Sequence, residues 1–143
     1  WPGEIKTNLQ SDALVELMDI APTLLDAATI AKPPHIQSQS LWPLLTGKAD
    51  PHFHKSFVRS EYFDALKENN ETRATMYRDN QYKLVVYHGH DLGELYDLNV
   101  DPGEFNNLWN DPNASDVKNR LIRQSFDATM LAQDLGPPSI GPM

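Results

Sequence analysis

Apolar positions along the chain change texture near residue 50, from helix-like spacing before it to short alternating runs after it. Residues 12–29 are apolar enough for one long helix, but Pro22 lies inside them, and an interior proline costs about 3 kcal/mol. Starting the helix at Asp19 moves Pro22 into the first turn, where a missing N–H is harmless. Asp19 then serves as N-cap, and Ile20, Leu24 and Ala28 fall on one stripe. Ala13–Met18, just before it, predicts a short buried strand. Lys32-Pro33-Pro34 ends the helix and begins an extended loop. Ser40 caps a turn of helix over Leu41–Leu45, with Gly47 as its left-handed exit. The polar run Lys48–His54, containing Pro51, marks a sub-domain boundary.

Beyond that boundary the pattern predicts strands at Phe57–Tyr62, Arg73–Arg78, Tyr82–Tyr87 and Glu94–Leu98. Asp79-Asn80 reads as a two-residue hairpin turn, and His88–Gly93 as the next loop. Consecutive strands with short connections favour an antiparallel sheet. Asp101-Pro102-Gly103 is turn chemistry, with Pro fixing φ, Gly relaxing it and Asp accepting from nearby amides. Asp111–Ser115 opens a helix from about Asp116 to Asp134, stopped by Gly136-Pro137-Pro138. Its broad apolar stripe combines Val117, Leu121 and Ala128 with Ile122, Phe126 and Met130. The predicted class is α+β: about four antiparallel strands packed with a long C-terminal helix, preceded by a strand-helix segment.

Composition narrows the function classes. The net charge is −8, from 20 acidic and 12 basic residues, which disfavours nucleic acid and anionic membranes as partners. No apolar run is long enough to span a bilayer. The absence of cysteine removes disulfides, thiolate metal sites and a cysteine nucleophile from the chain. Trp1-Pro2-Gly3 has neither a basic flank nor an apolar run, and lacks an initiator Met, so the chain reads as processed or partial. Asn70-Glu71-Thr72 and Asn113-Ala114-Ser115 fit the glycosylation pattern, one short enough to arise by chance.

Four blocks occur in one order: Trp1-Pro2-Gly3; Asp19-Ile20-Ala21-Pro22-Thr23-Leu24-Leu25; Ser40-Leu41-Trp42-Pro43-Leu44-Leu45-Thr46-Gly47; and Tyr82-Lys83-Leu84 through Glu94-Leu95-Tyr96-Asp97-Leu98 to Asp101-Pro102-Gly103-Glu104-Phe105-Asn106-Asn107-Leu108. The ordered set resembles the C-terminal third of sulfatases, the arylsulfatase branch of the alkaline phosphatase superfamily. One departure is Ser38, where many relatives carry glycine. The resemblance implies that residues 1–50 close a large α/β core and that residues 51–143 form a smaller C-terminal subdomain. It also implies, for a longer parent protein, hydrolysis of a sulfate ester, of an aryl compound or a sulfated carbohydrate. Rival readings are a phosphonate or phosphodiester hydrolase of the same superfamily, and a stand-alone module binding carbohydrate or protein. Family habit suggests a periplasmic, lysosomal or secreted setting.

Sulfate ester hydrolysis needs an in-line nucleophile, cations for the sulfate oxygens and an acid for the leaving alcohol. The family resemblance implies a formylglycine made from Cys or Ser in a C/S-x-P-x-R stretch, and a divalent metal, usually Ca²⁺, held by Asp and Asn. No serine here begins a Ser-x-Pro-x-Arg run. No catalytic residue, cofactor or metal ligand is therefore assigned to this chain, which alone is expected to be inert and to have the rest of the sulfatase core as partner. The remaining candidates are at a substrate rim: His88 and His90 on one loop, and Arg78 as a bidentate sulfate grip. The plainer reading is an incidental surface loop for the histidines and cross-strand pairing for the strand arginines Arg59, Arg73 and Arg78, with Glu61 as a partner. His52 and His54 have the i, i+2 spacing of His88 and His90, but neither pair has a recognisable third metal ligand. Lys83 is expected to be solvated, Glu104 to serve its turn, and Trp42 and Trp109 to anchor contacts between sub-domains.

Overall fold

The computed structural model describes residues 1–64 and 71–132. Its elements are α1 (Ile20–Ala27), α2 (Trp42–Leu45), β1 (Val58–Phe63), β2 (Arg73–Arg78), β3 (Tyr82–Tyr87), β4 (Leu92–Asp97) and α3 (Ser115–Leu131). Single 3₁₀ turns at Leu17–Asp19 and Pro112–Ala114 lead into α1 and α3. The four strands form one antiparallel sheet in the order β1-β2-β3-β4, so the α+β expectation holds. No helix among the described residues is long and apolar enough to cross a membrane.

Pairing register places the core. Tyr77 pairs with Leu84, and Leu84 with Leu95, so the three share one sheet face. Leu121 and Ala128 of α3 cover that face, and Leu84, Leu95 and Leu121 have no exposed surface. Burying each leucine stabilises by about 1.5–3 kcal/mol. Phe57 stacks on Tyr77 at 5.1 Å between ring centroids, extending the cluster toward β1. Only part of α3's stripe is used, because Phe126 and Met130 stay exposed at 64% and 48%. The helix end predicted at Asp134 and the Gly136-Pro137-Pro138 stop lie outside the described residues, as does Asn70 of the first glycosylation pattern.

The acidic turn after β4 seals an open sheet edge. Asn107 Oδ1 accepts from the Leu95 and Trp109 amides at 3.0 and 2.9 Å, and its Nδ2 donates to the Gly93 carbonyl at 3.1 Å. The Leu108 amide donates to the Leu95 carbonyl at 2.8 Å, so a loop substitutes for a fifth strand. Asp101 accepts from the Asn106 amide at 2.7 Å, as its turn role requires. Gly93 is needed because a Cβ there would lie 2.3 Å from the Trp109 indole.

Several local expectations are corrected. Ala13–Met18 forms no strand: Ala13–Glu16 has no regular structure and Leu17–Asp19 is 3₁₀, since no strand among the described residues lies beside it to complete a ladder. Asp19 precedes α1 as expected, but its side chain makes no cap hydrogen bond to the helix, because other groups occupy it. The α1 stripe is uncovered, with Ile20 at 50% and Leu24 at 65% exposure. In the first hairpin Arg78 pairs with Lys83, which makes Asn80-Gln81 the central residues rather than Asp79-Asn80. Asp79 instead caps the turn, its Oδ1 accepting from the Gln81 and Tyr82 amides at 2.8 and 2.6 Å. β4 begins two residues early, because Leu92 and Gly93 continue the ladder opposite Tyr87 and Val86. Ser40 accepts from the Trp42 amide at 3.1 Å and Gly47 has φ +72°, both as expected. Ser38 is buried and lies outside the left-handed region, so its turn does not depend on glycine.

Candidate functional site

The densest polar cluster lies where the N-terminal segment meets β1. Asp19 has no exposed surface. Its Oδ1 accepts from the Gln39 amide at 3.1 Å and sits 2.6 Å from Lys55 Nζ. Its Oδ2 accepts from the Glu16 amide at 2.9 Å and lies 3.3 Å from His54 Nε2. That last approach lacks hydrogen-bond geometry, and His54 Nε2 is buried without a hydrogen-bond partner among the described residues. Burial pushes the Asp19 pKa up, but the Lys55 hydrogen bond, the two backbone amides and the Lys55 charge outweigh it, and the net shift is down.

Glu16 extends the cluster. It pairs with Lys55, and its Oε1 accepts from the Arg59 amide at 2.9 Å, covering the outer edge of β1. Arg59 reaches the other way, donating to the Ala128 carbonyl of α3 at 2.8 Å and pairing with Glu61 at 2.5 Å. The pairing foreseen for Arg59 and Glu61 is thus present, along one strand rather than across two. The Thr23 hydroxyl donates to the Asp19 carbonyl at 2.6 Å and accepts from the Leu41 amide at 2.8 Å, tying α1 to the approach to α2.

Beside the cluster lies a cleft of about 790 Å³, with Glu16, Gln37, Gln39, Phe53, His54 and Arg59 among its lining residues. Its volume is that of an ordinary small-molecule site. The chemistry available here is positional. Lys55 is committed to two carboxylates, and Asp19 is fully buried against it, so both act as links between segments. Among the described residues no group of three or more His, Cys, Asp or Glu is placed to hold a metal ion. Among the described residues nothing therefore fits the Ca²⁺ that the resemblance implies.

The sequence-based candidates are not brought together. His88 and His90 are exposed on the β3–β4 turn, with His88 Nε2 2.9 Å from the Thr75 hydroxyl. Arg78 is exposed at the other end of the sheet, a strand length of roughly 17 Å away. His52 and His54 diverge, His52 to an exposed pair with Asp12 at 2.6 Å and His54 to the Asp19 cluster. Lys83 is not simply solvated: it pairs with Glu104 at 2.5 Å and lies 5.9 Å from the Tyr96 ring centre. Trp42 packs at 5.2 Å against Trp1 within the N-terminal region, and Trp109 against Gly93 and Lys118 within the sheet unit. These ring contacts each lie within one region, and ionic side chains link the two. Sequence reasoning missed Glu16 and Lys55, and weighed His54 only as half of a metal-binding pair. The available signal was Glu16 interrupting an otherwise apolar segment three residues before Asp19.

Comparison with known proteins places these features. Residues 1–130 match the family model described as N-sulphoglucosamine sulphohydrolase, C-terminal. Arylsulfatase K of Rattus norvegicus is 38% identical over 114 residues, covering 75% of this chain and 20% of that protein. An N-acetylglucosamine-6-O-sulfatase of Bacteroides thetaiotaomicron is 34% identical over 112 residues, with 76% and 20% covered. Among solved structures, BT4656 in complex with its substrate D-glucosamine-2-N,6-O-disulfate superposes at TM-score 0.79 and 25% identity, covering 99% of this chain and 29% of that one. The phosphonate monoester hydrolase of Silicibacter pomeroyi superposes at TM-score 0.69 and 26% identity, covering 82% and 25%. The chain spans about a fifth of the length of these curated relatives.

Proposed function

The chain belongs to the sulfatase C-terminal family matched by residues 1–130, and on that premise we propose that it is the structural, cleft-shaping portion of a sulfuric ester hydrolase acting on a sulfated carbohydrate. Residues 1–50 complete an α/β core, and residues 51–143 form the subdomain that closes one side of the substrate cleft. The nucleophile and the metal ligands belong to other parts of that hydrolase. Ca²⁺, where bound, would supply positive charge to the sulfate oxygens, and a formylglycine would supply the nucleophile.

The observation that carries this reading is the unequal finish of the two halves. The sheet and α3 bury a closed leucine core, whereas Leu17, Met18, Ile20 and Leu24 present an apolar face with 50–87% exposure. Such a face suits a surface built to be covered. The ionic seam through Asp19 and Lys55 fixes that face relative to the sheet. His88 and His90 remain the rim candidates at one end of the sheet, and Arg78 belongs to a different rim.

A protein of the relatives' full length containing this segment tests the reading. Release of inorganic sulfate from D-glucosamine-6-sulfate is expected, and His90→Ala should change KM more than kcat. Turnover of an aryl phosphonate monoester in preference to every sulfate ester would instead assign it to the phosphonate hydrolases.

A further inference from the structure

We propose that the cleft between the Asp19 seam and the end of α3 takes an uncharged sugar ring, one that neighbours the sulfated unit of the carbohydrate. The inference rests on the sulfatase reading and adds a ligand class to a site that reading leaves empty of chemistry. Three observations lead to it. The cleft's volume of about 790 Å³ accommodates a monosaccharide with room for a linkage.

Its charges are already satisfied. Lys55 is held by Glu16 and Asp19, and Arg59 by Glu61 and the Ala128 carbonyl, so the Lys and Arg of the lining each already have a carboxylate partner. A second anion here would compete with the carboxylates of these pairs, the Lys55–Glu16 pair being at 12–13% side-chain exposure. Neutral hydroxyls carry no such penalty.

The lining also has the two kinds of surface a sugar ring uses. Phe53, 57% exposed, offers an apolar ring face at the cleft, with Phe57 also in the lining. Gln37 and Gln39 are exposed amides that both donate and accept, and Glu16 and Arg59 add an acceptor and a donor already locked in place by the seam. Pre-ordered polar groups around one apolar face reduce the ordering cost of binding.

Saturation-transfer difference NMR on the 143-residue chain tests this, and it tolerates a protein that self-associates. The probes are N-acetylglucosamine, its neutral β1,4-linked disaccharide, and inorganic sulfate. Saturation transfer is expected to the ring protons of both sugars, with inorganic sulfate unable to compete. Phe53→Ala should weaken the sugar signal about threefold or more, while circular dichroism stays unchanged. Gln37→Ala should weaken it less, and Asp116→Asn, exposed at the far end of α3 from the cleft, not at all. No transfer to either sugar, transfer unchanged in Phe53→Ala, or displacement by sulfate each overturns the inference. A longer protein that releases sulfate while this chain ignores neutral sugars would sink the cleft assignment alone. Failure of the longer protein to hydrolyse any sulfate ester would sink the reading beneath it.

Discussion

Residues 1–50 and the sheet-helix unit carry apolar patterns of similar quality, yet the fully buried leucines Leu84, Leu95 and Leu121 all lie in the second, while the α1 stripe of the first stays open. In the sheet, Leu84 and Leu95 meet Leu121 and lose all contact with solvent. In the N-terminal region, Leu24 lies on an equally regular helical stripe and remains 65% exposed. Periodicity reports which face of an element wants cover, whereas burial requires that the covering element be there. The two regions are joined by a polar seam, and the largest expected effects are concentrated in it.

Lys55→Met should be the most damaging single change. It leaves Asp19 buried with its main cationic partner gone, and truncating one side of a buried pair costs about 3–5 kcal/mol in urea unfolding. The double variant Asp19→Asn with Lys55→Met should recover part of that loss. A cost below about 1 kcal/mol for Lys55→Met would mean that the seam is surface decoration.

Leu95→Ala should cost about 2–5 kcal/mol by the same measurement, because it opens a cavity at the centre of the core. Leu24→Ala should stay within about 0.5 kcal/mol while lowering the apparent mass seen by light scattering. Equal costs at the two leucines would erase the contrast between the regions. Gly93→Ala should fall between them, at about 1–3 kcal/mol, since the new methyl must displace the Trp109 indole.

The smallest expected effect is a pH dependence at the exposed Asp12–His52 pair. A hydrogen bond to Asp12, then its charge, raises the His52 pKa, and the hydrogen bond to His52, with the Asp12 backbone hydrogen bond, lowers that of Asp12. The raised histidine contributes fully below its ordinary value of 6.5 and loses that contribution as pH rises through its folded pKa. The lowered aspartate contributes above 3.8 and loses its share as pH falls through its own. A shallow stability plateau between those two values should flatten in His52→Gln. An unchanged pH profile in that variant would remove the pair from the account.

Most of the fold was legible before any coordinates. The bounds of β2 and β3 follow from period-2 alternation flanked by turn residues, and Pro22 places the start of α1. Misreadings occur where a local pattern depended on something non-local. Ala13–Met18 has strand composition, but a strand is defined by its neighbour. Asp19 has the right position for a cap, yet residues 20 and 36 positions further along, Gln39 and Lys55, claim its carboxylate. No spacing rule links Glu16, Asp19, Lys55 and Arg59, because the chain brings them together only by folding back. The rim candidates fared differently: His88 and His90 share a turn as their spacing implies, whereas sequence offers no way to know that Arg78 ends at the opposite edge.

The central claim, that this segment holds shape and leaves ester cleavage to other residues, is tested most directly by assaying the purified 143-residue chain for sulfate release. D-glucosamine-6-sulfate and an aryl sulfate, each with Ca²⁺ present, should remain at the uncatalysed rate, while a protein of the relatives' full length turns over at least one of them. Turnover by the isolated chain that survives repeated purification and is abolished by a substitution within it would contradict the account.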